Sequence, residues 1–278
     1  MDLKSGECRQ LTEAAALDGS SLTLVNEDRG VCFFDGPALC LTALSSLRKR
    51  EVYRVPEGWR RHPGFSVSED GVNAVFAEAQ ADGSRLRLVH LAKGGARTVI
   101  ETSGAVEHPV TRPRRAQILY RQGNQALWLV NFDGMQNRKL RLANGALGTA
   151  RWAPDGKTIL YLNYPDDKTQ LHTLREHLPD QDIDRLVSKT SQFVHFACNS
   201  NTSVFVGASE NRAAPHVLLL LRMTRRELTL CEHRASNPAT VAPIFSPDSQ
   251  RVFFQSDKHG KSAIYRVQVD RFVEKTES

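Results

Sequence analysis

RWAPDGKTILYLNY, residues 151–164, sets a tryptophan and a Pro-Asp-Gly turn ahead of Lys-Thr and an apolar-rich run. Pro fixes φ, Asp bonds its local backbone and Gly tolerates positive φ, so the three together read as a tight reversal. The β-branched and aromatic run behind them reads as a strand. The same turn-plus-strand unit occurs five more times, as NEDRGVCFF (26–34), SEDGVNAVFAE (68–78), RPRRAQILYR (112–121), NSNTSVFVGA (199–208) and SPDSQRVFFQSD (246–257). With turns near 28, 70, 114, 155, 201 and 248, the steps are 42, 44, 41, 46 and 47 residues. A period in the forties built from short strands predicts β-propeller blades. Helical solenoids have similar periods, but not Asp-Gly-type turns closing β-branched runs.

Each unit carries further strands, such as ALWLVNFDG (126–134) and AIYRVQVD (263–270), then ARTVIET (96–102) and RRELTLC (225–231). The expectation is therefore an all-β, six-bladed β-propeller, a single domain over 1–278, each blade a four-stranded antiparallel sheet. Residues 169–187 fit least well and read as a short helix or an irregular edge strand. The chain ends on SAIYRVQVDRF and begins with DLKSGECRQLT, which looks like the strand that would follow it. Residues 2–12 are thus predicted to complete the last blade, a closure that removes an open sheet edge.

Composition narrows the setting. The 278 residues are 40% hydrophobic and 24% charged, enough for a large core, and the formal net charge of +6 favours acidic partners. The basic clusters at 48–50, 60–61, 112–115 and 225–226 are scattered, which argues against nucleic acid. VLLLLRM (217–223) is too short to span a membrane and reads as a buried strand, and the N-terminus lacks the apolar core of a signal peptide. Five cysteines without CxxC spacing suit a reducing compartment. A cytoplasmic protein with no membrane partner is expected.

The chain resembles the oligogalacturonate lyases, propeller enzymes that degrade pectin-derived oligouronides, as a divergent and shortened member. The resemblance is carried by VYRVPEGW (52–59), HPVTRP (108–113), LWLVNFDGMQNRK (127–139), WAPDG (152–156), CEH (231–233) and PIFSPDSQRVFFQSDKHGKSAIY (243–265). It implies β-elimination across a uronate, which needs a base for the C5 proton and positive charge for the developing carbanion. In that family a histidine base, an arginine and a divalent metal, typically manganese, supply them.

Residue by residue, most of that set is missing. The family's base lies in a Thr-His-Glu-Phe-Trp context; here GTARWAPDG puts Thr149 at the histidine. Its arginine precedes the LWLVN-like strand, where Ala126 stands. Two metal histidines belong to an HPHPSF stretch that here reads TVAPIF, placing Thr240 and Ala242 at the imidazoles, and the upstream glutamine maps onto Asn237. His195 alone matches a ligand histidine. A family insertion is also missing around AEAQADGSRLRL (77–88).

These departures predict a propeller that keeps the frame, carries a degenerate lyase site and binds an acidic oligosaccharide or another anionic ligand, with no cofactor. His108, Arg112 and Trp152 are the candidate ligand-binding residues, and His195 with Asn237 the remnant of a metal site. The bland readings stand beside these: His195 bonded to a backbone carbonyl, Pro109 and Pro113 shaping a loop with Arg112 crossing it, and Trp128 and Trp152 packed between blades. Asp133, Asp155 and Asp248 read as turn formers. Two alternatives remain open. One is an active lyase using manganese or a similar metal at His195, with His108 or His233 as a replacement base. The other is a scaffold for a protein partner.

Overall fold

A computed structural model describes residues 7, 9–25, 29–123, 126–167 and 169–276. Six antiparallel sheets account for almost all of the regular structure, and the only helix among these residues is a 3-10 turn at Pro238–Thr240. The sheets fall into two compact units, one ending at Lys139 and the other beginning at Leu140.

The first unit holds three four-stranded sheets. They are β1 (Leu17–Val25), β2 (Gly30–Asp35), β3 (Ala38–Ala43) and β4 (Lys49–Arg54); β5 (Arg60–Val67), β6 (Asn73–Gln80), β7 (Gly83–His90) and β8 (Ala96–Thr102); and β9 (Val106–Thr111), β10 (Gln117–Gln122), β11 (Leu127–Asn131) and β12 (Arg138–Lys139). The second unit holds β13 (Ala146–Trp152), β14 (Ile159–Tyr164), β15 (Thr173–Leu178) and β16 (Ile183–Lys189); β17 (Phe193–Cys198), β18 (Val204–Ser209), β19 (His216–Leu221) and β20 (Arg226–Glu232); and a three-stranded sheet of β21 (Ile244–Phe245), β22 (Arg251–Ser256) and β23 (Ala263–Gln268).

The repeated turn is visible as one piece of chemistry. Gly71, Gly156, Thr202 and Ser249 each donate their N–H to the residue three before, at 2.8 to 3.1 Å, and each takes a positive φ. Asp70, Asp155, Asn201 and Asp248 staple these turns by accepting the N–H two residues on. The Arg112–Arg115 turn has no such side chain, and there Arg114 takes the positive φ instead.

Each of these turns delivers the chain into the second strand of a sheet, and most of those second strands are deeply buried. All of β18, and all but the last residue of β2 and β14, are buried. Alternate residues serve opposite faces: in β6, Ala74 and Phe76 pack with Phe34 and Leu39 of the preceding sheet, whereas Val75 and Ala77 pack with Ile118 and Tyr120 of the following one. The second unit repeats the scheme on β18, with Phe205 facing Leu160 and Leu162, and Val204 and Val206 facing Val252 and Phe254. Each such Phe or Leu contributes about 1.5–3 kcal/mol by burial. Outer strands such as β8 and β20 are half-buried or exposed, apart from Val99.

Residues 217–220 are buried in β19, as the sequence predicts. The stretch expected to be a helix or an irregular edge strand is the hairpin β15–β16, in which β16 lies at the edge of the sheet and the register shifts between Leu174 and Arg175. Its charges are absorbed locally: Arg175 pairs with Asp184 at 2.6 Å, and Glu176 with Arg222 at 2.6 Å. The predicted closing strand falls largely outside the described residues; Glu7 and Arg9–Thr12 belong to no strand, and Thr12 Oγ1 lies 3.1 Å from Thr42 Oγ1 on β3. Residues 77–88 are a plain hairpin, with Gln80 paired to Gly83 across the turn.

One buried carboxylate organises the first unit. Glu78 is fully buried on β6, accepts the Tyr53 hydroxyl at 2.7 Å and pairs with Arg85 at 2.7 Å, and Arg85 lies 3.7 Å from the Trp59 ring centre. Removing one partner of such a pair strands the other charge in the interior. Glu78→Ala should therefore cost about 3–5 kcal/mol of unfolding free energy, read by urea denaturation; a loss below that of an ordinary surface substitution would remove Glu78 from this role.

Candidate functional site

The first strand of each four-stranded sheet slips register against the second. The breaks lie between Asp18 and Thr23 in β1, Arg61 and Phe65 in β5, Glu107 and Val110 in β9, Leu147 and Ala150 in β13, and Phe193 and His195 in β17. Such a bulge re-aims a side chain that a regular ladder would fix. His108, Thr149 and His195, three of the residues singled out by sequence, stand at or beside these bulges.

In the first unit, β5 and β9 lie side by side. Gly64 has φ +99°, and any Cβ there would collide with the His108 backbone, so only glycine permits this approach. His108 itself takes φ +49°, and its side chain is exposed. Partial desolvation by the surrounding protein, then the charge of Arg121, holds its pKa below the usual imidazole value. His62 donates through Nδ1 to the Val106 carbonyl at 3.1 Å. Arg112 is 3% exposed, and its Nη1 donates to Gln117 Oε1 at 2.7 Å, so it braces the β9–β10 turn. Ala126 precedes β11 and contributes a carbonyl to Gln122 N–H at 3.1 Å.

In the second unit, Thr149 and His195 meet. Thr149 Oγ1 lies 3.1 Å from His195 Nδ1 and 3.2 Å from the Val194 carbonyl. Desolvation, reinforced by the charge of Arg151, holds His195 below the ordinary histidine pKa, while a backbone hydrogen bond at Ala239 acts the other way. Asn237 caps the 3-10 turn, its Oδ1 accepting Ala239 N–H at 3.1 Å, and Thr240 Oγ1 donates to the Asn237 carbonyl at 2.8 Å. Ala242, at φ +39°, offers no donor atom. Trp152 is buried, at 6% exposed, and Trp128 stacks on Tyr120.

A divalent ion does not fit this donor set. His195 has its Nδ1 against a hydroxyl, the Asn237 oxygen is occupied by the turn it caps, and Thr240 is tied to the same turn. Among the described residues no group of three or more His, Cys, Asp or Glu side chains is arranged to hold a metal. His233 is equally committed: fully buried, it approaches the Ser209 carbonyl through Nε2 at 3.0 Å and accepts Ala235 N–H at Nδ1, also at 3.0 Å. It is a strut between β18 and the segment leading to the 3-10 turn. The predicted turn role of Asp133 is seen directly, its Oδ1 accepting Met135 N–H at 2.8 Å.

Sequence reading passed over two features. The bulges carry no residue signature, although His-Pro recurs at 62–63 and 108–109. Arg151, one of many arginines, stands two residues beyond Thr149 on the strand that faces His195; its only sequence mark is that it occupies the aromatic position of the family context.

Comparison with known proteins agrees with this frame. The chain is 23% identical to an oligogalacturonide lyase of Pectobacterium atrosepticum, over 97% of its own length and 82% of the relative's. A solved oligogalacturonate lyase in complex with manganese superposes with a TM-score of 0.87 at 22% identity, covering 93% of this chain and 79% of that one. The Vibrio parahaemolyticus oligogalacturonate lyase gives 0.85 at 21%, covering 94% and 80%. These likenesses show the fold, a six-bladed β-propeller. A family model described as Interleukin 33 matches residues 150–223. That segment starts within β13 and ends beyond β19, so it cuts across two sheets and delimits no unit of this structure.

The state of His233 has a measurable consequence. Desolvation, with the nearby His216 charge adding, lowers its folded pKa below the usual 6.5. A depressed histidine pKa means that the unfolded chain takes up the proton first, so stability is full above about pH 6.5 and falls as pH drops toward the folded pKa. Unfolding free energy should decline between pH 7.5 and 5, and His233→Gln, though less stable at neutral pH, should show a shallower decline. Equal slopes in the two proteins would assign the acid sensitivity elsewhere.

Proposed function

Because the chain is an oligogalacturonate lyase-like propeller, we propose that it binds an acidic oligosaccharide of the oligogalacturonide class at the Thr149–His195 site without cleaving it. One observation carries this reading. Where the resemblance requires an imidazole base there is a hydroxyl, and that hydroxyl sits on Nδ1 of the one histidine the resemblance retains. A threonine hydroxyl does not titrate near neutral pH and does not remove a carbon acid's proton unaided. Ala126 supplies no cation in place of the missing arginine, and the metal donors do not converge.

The active-lyase alternative loses His233 as its replacement base, since both ring nitrogens are engaged in a buried setting. The first two basic clusters are engaged within the chain, which argues against a nucleic-acid partner: Lys49 pairs with Asp35, Arg61 with Asp18, and Arg50 Nη2 donates to the Leu91 carbonyl. No helix among the described residues is long and apolar enough to cross a membrane. The free thiols of Cys32, Cys40, Cys198 and Cys231 support the cytoplasm as the compartment.

The test is ultraviolet absorbance at the unsaturated-uronate band, with folded protein, digalacturonate and trigalacturonate, with and without added manganese. The expected trace is flat under both conditions, alongside saturable binding of the same sugars by calorimetry. A manganese-dependent rise that disappears in His195→Ala would overturn the degenerate-site reading.

A further inference from the structure

Arg151 occupies β13 beside the Thr149 bulge, and both residues turn toward β17. Thr149 reaches His195, while the Arg151 guanidinium carbon lies 5.3 Å from the Phe196 ring centre. Its Nε is buried and makes no hydrogen bond. Among the described residues no carboxylate pairs with it; the ionisable group that acts on it is the Cys198 thiol, which burial keeps protonated.

Three other partly buried arginines in this protein have an acid. Arg85 pairs with Glu78, Arg175 with Asp184 and Arg222 with Glu176, each at 2.6 or 2.7 Å. A guanidinium stays charged in proteins, so a cation set into the protein without a counter-ion is a standing cost to the fold. A site that keeps such a cost is poised for a mobile anion. The guanidinium fork matches a carboxylate in a bidentate way, and cation–π contact with Phe196 fixes its plane without using its N–H donors. Where the resemblance expects an aromatic side chain beside the base, this chain has put a fixed positive charge, a short way from the position at which the metal donors fail.

We propose that Arg151 is the carboxylate-recognition residue of the Thr149–His195 site, taking a uronate carboxylate without any metal ion. The choice of a uronate rests on the saccharide reading above; the anion site itself rests on the stranded guanidinium.

The test uses full-length protein carrying 15N-labelled arginine, in excess EDTA. The Arg151 Nε–H resonance, identified by its absence in Arg151→Lys, is followed during titration with digalacturonate and, separately, with acetate. Calorimetry runs in parallel on wild type, Arg151→Gln and Arg151→Lys, each checked for folding by its Tm. The expected results are a saturable shift of the Arg151 resonance with digalacturonate, about tenfold or greater weakening in Arg151→Gln, partial recovery in Arg151→Lys, and a Tm for Arg151→Gln at or above that of wild type. The fully methyl-esterified disaccharide should bind wild type no better than the acid binds Arg151→Gln.

Digalacturonate binding that is unchanged in Arg151→Gln, or that appears only on adding manganese, overturns the role of Arg151 and leaves the saccharide reading standing. No digalacturonate binding, with acetate shifting the Arg151 resonance, sinks the saccharide reading and keeps the anion site. An unmoved resonance with both ligands, in folded protein, rejects both.

Discussion

The fold depends on second strands that, in most of the sheets, are apolar on both faces. Phe76 and Val75 are neighbours in sequence, yet one packs back toward Phe34 and the other forward toward Ile118. A strand in that position has no side chain to spare for chemistry. Polar function is pushed to the first strand of the sheet or to the outer strands, and the outer strands here are occupied with solvent and surface ion pairs. The first strand is what remains, and its bulges let it serve packing and chemistry at once.

That division lets a frame of this kind persist while the residues at its bulges change. Thr149, His195 and Ala242 lie at or next to irregular backbone, and none of them belongs to the clusters that hold consecutive sheets together. Exchanging an imidazole for a hydroxyl or a methyl at such a position disturbs no Phe or Leu of the second strands. Most of the stabilising burial is therefore indifferent to the donors that a metal would need. Sequence identity near 22% together with a TM-score of 0.87 is the expected outcome of such a separation.

What was legible in the sequence follows from the same physics. The stapled turns use a short side-chain acceptor two residues before the N–H it receives, a local pattern that repeats as Asp70, Asp155, Asn201 and Asp248, so the blade period could be read directly. The β15–β16 hairpin was obscured because Arg175, Glu176 and His177 sit in a strand; Arg175 is paired across the hairpin with Asp184, and buried Glu176 with Arg222, 46 residues away. Arg112 reads in the sequence as an anion-facing arginine, and its Nη1 is set against Gln117, a contact that the sequence does not announce. Asn237 matched a ligand position by order alone, and its amide oxygen is spent on its own turn. His195 was found by resemblance, but its pairing with Thr149 joins residues 46 apart, which no local pattern reports.

Arg151 marks the limit of that kind of reading. An arginine gains or loses meaning through its partner, and the informative fact here is tertiary: three comparable arginines have carboxylates within 2.7 Å, and this one has a phenyl ring. In a chain with 37 basic and 31 acidic residues, counter-charges are not scarce. Leaving a guanidinium without a carboxylate among the described residues, beside the one histidine that the resemblance retains, is therefore not forced by composition. A metal ion and a fixed arginine both answer the same electrostatic need of a carboxylate, but they place opposite demands on the protein. The metal requires several converging donors and vanishes when they are lost; the guanidinium requires only a wall that holds its plane. Thr240, Ala242 and the capped Asn237 remove the first solution, and Phe196 with the β13 bulge supplies the second.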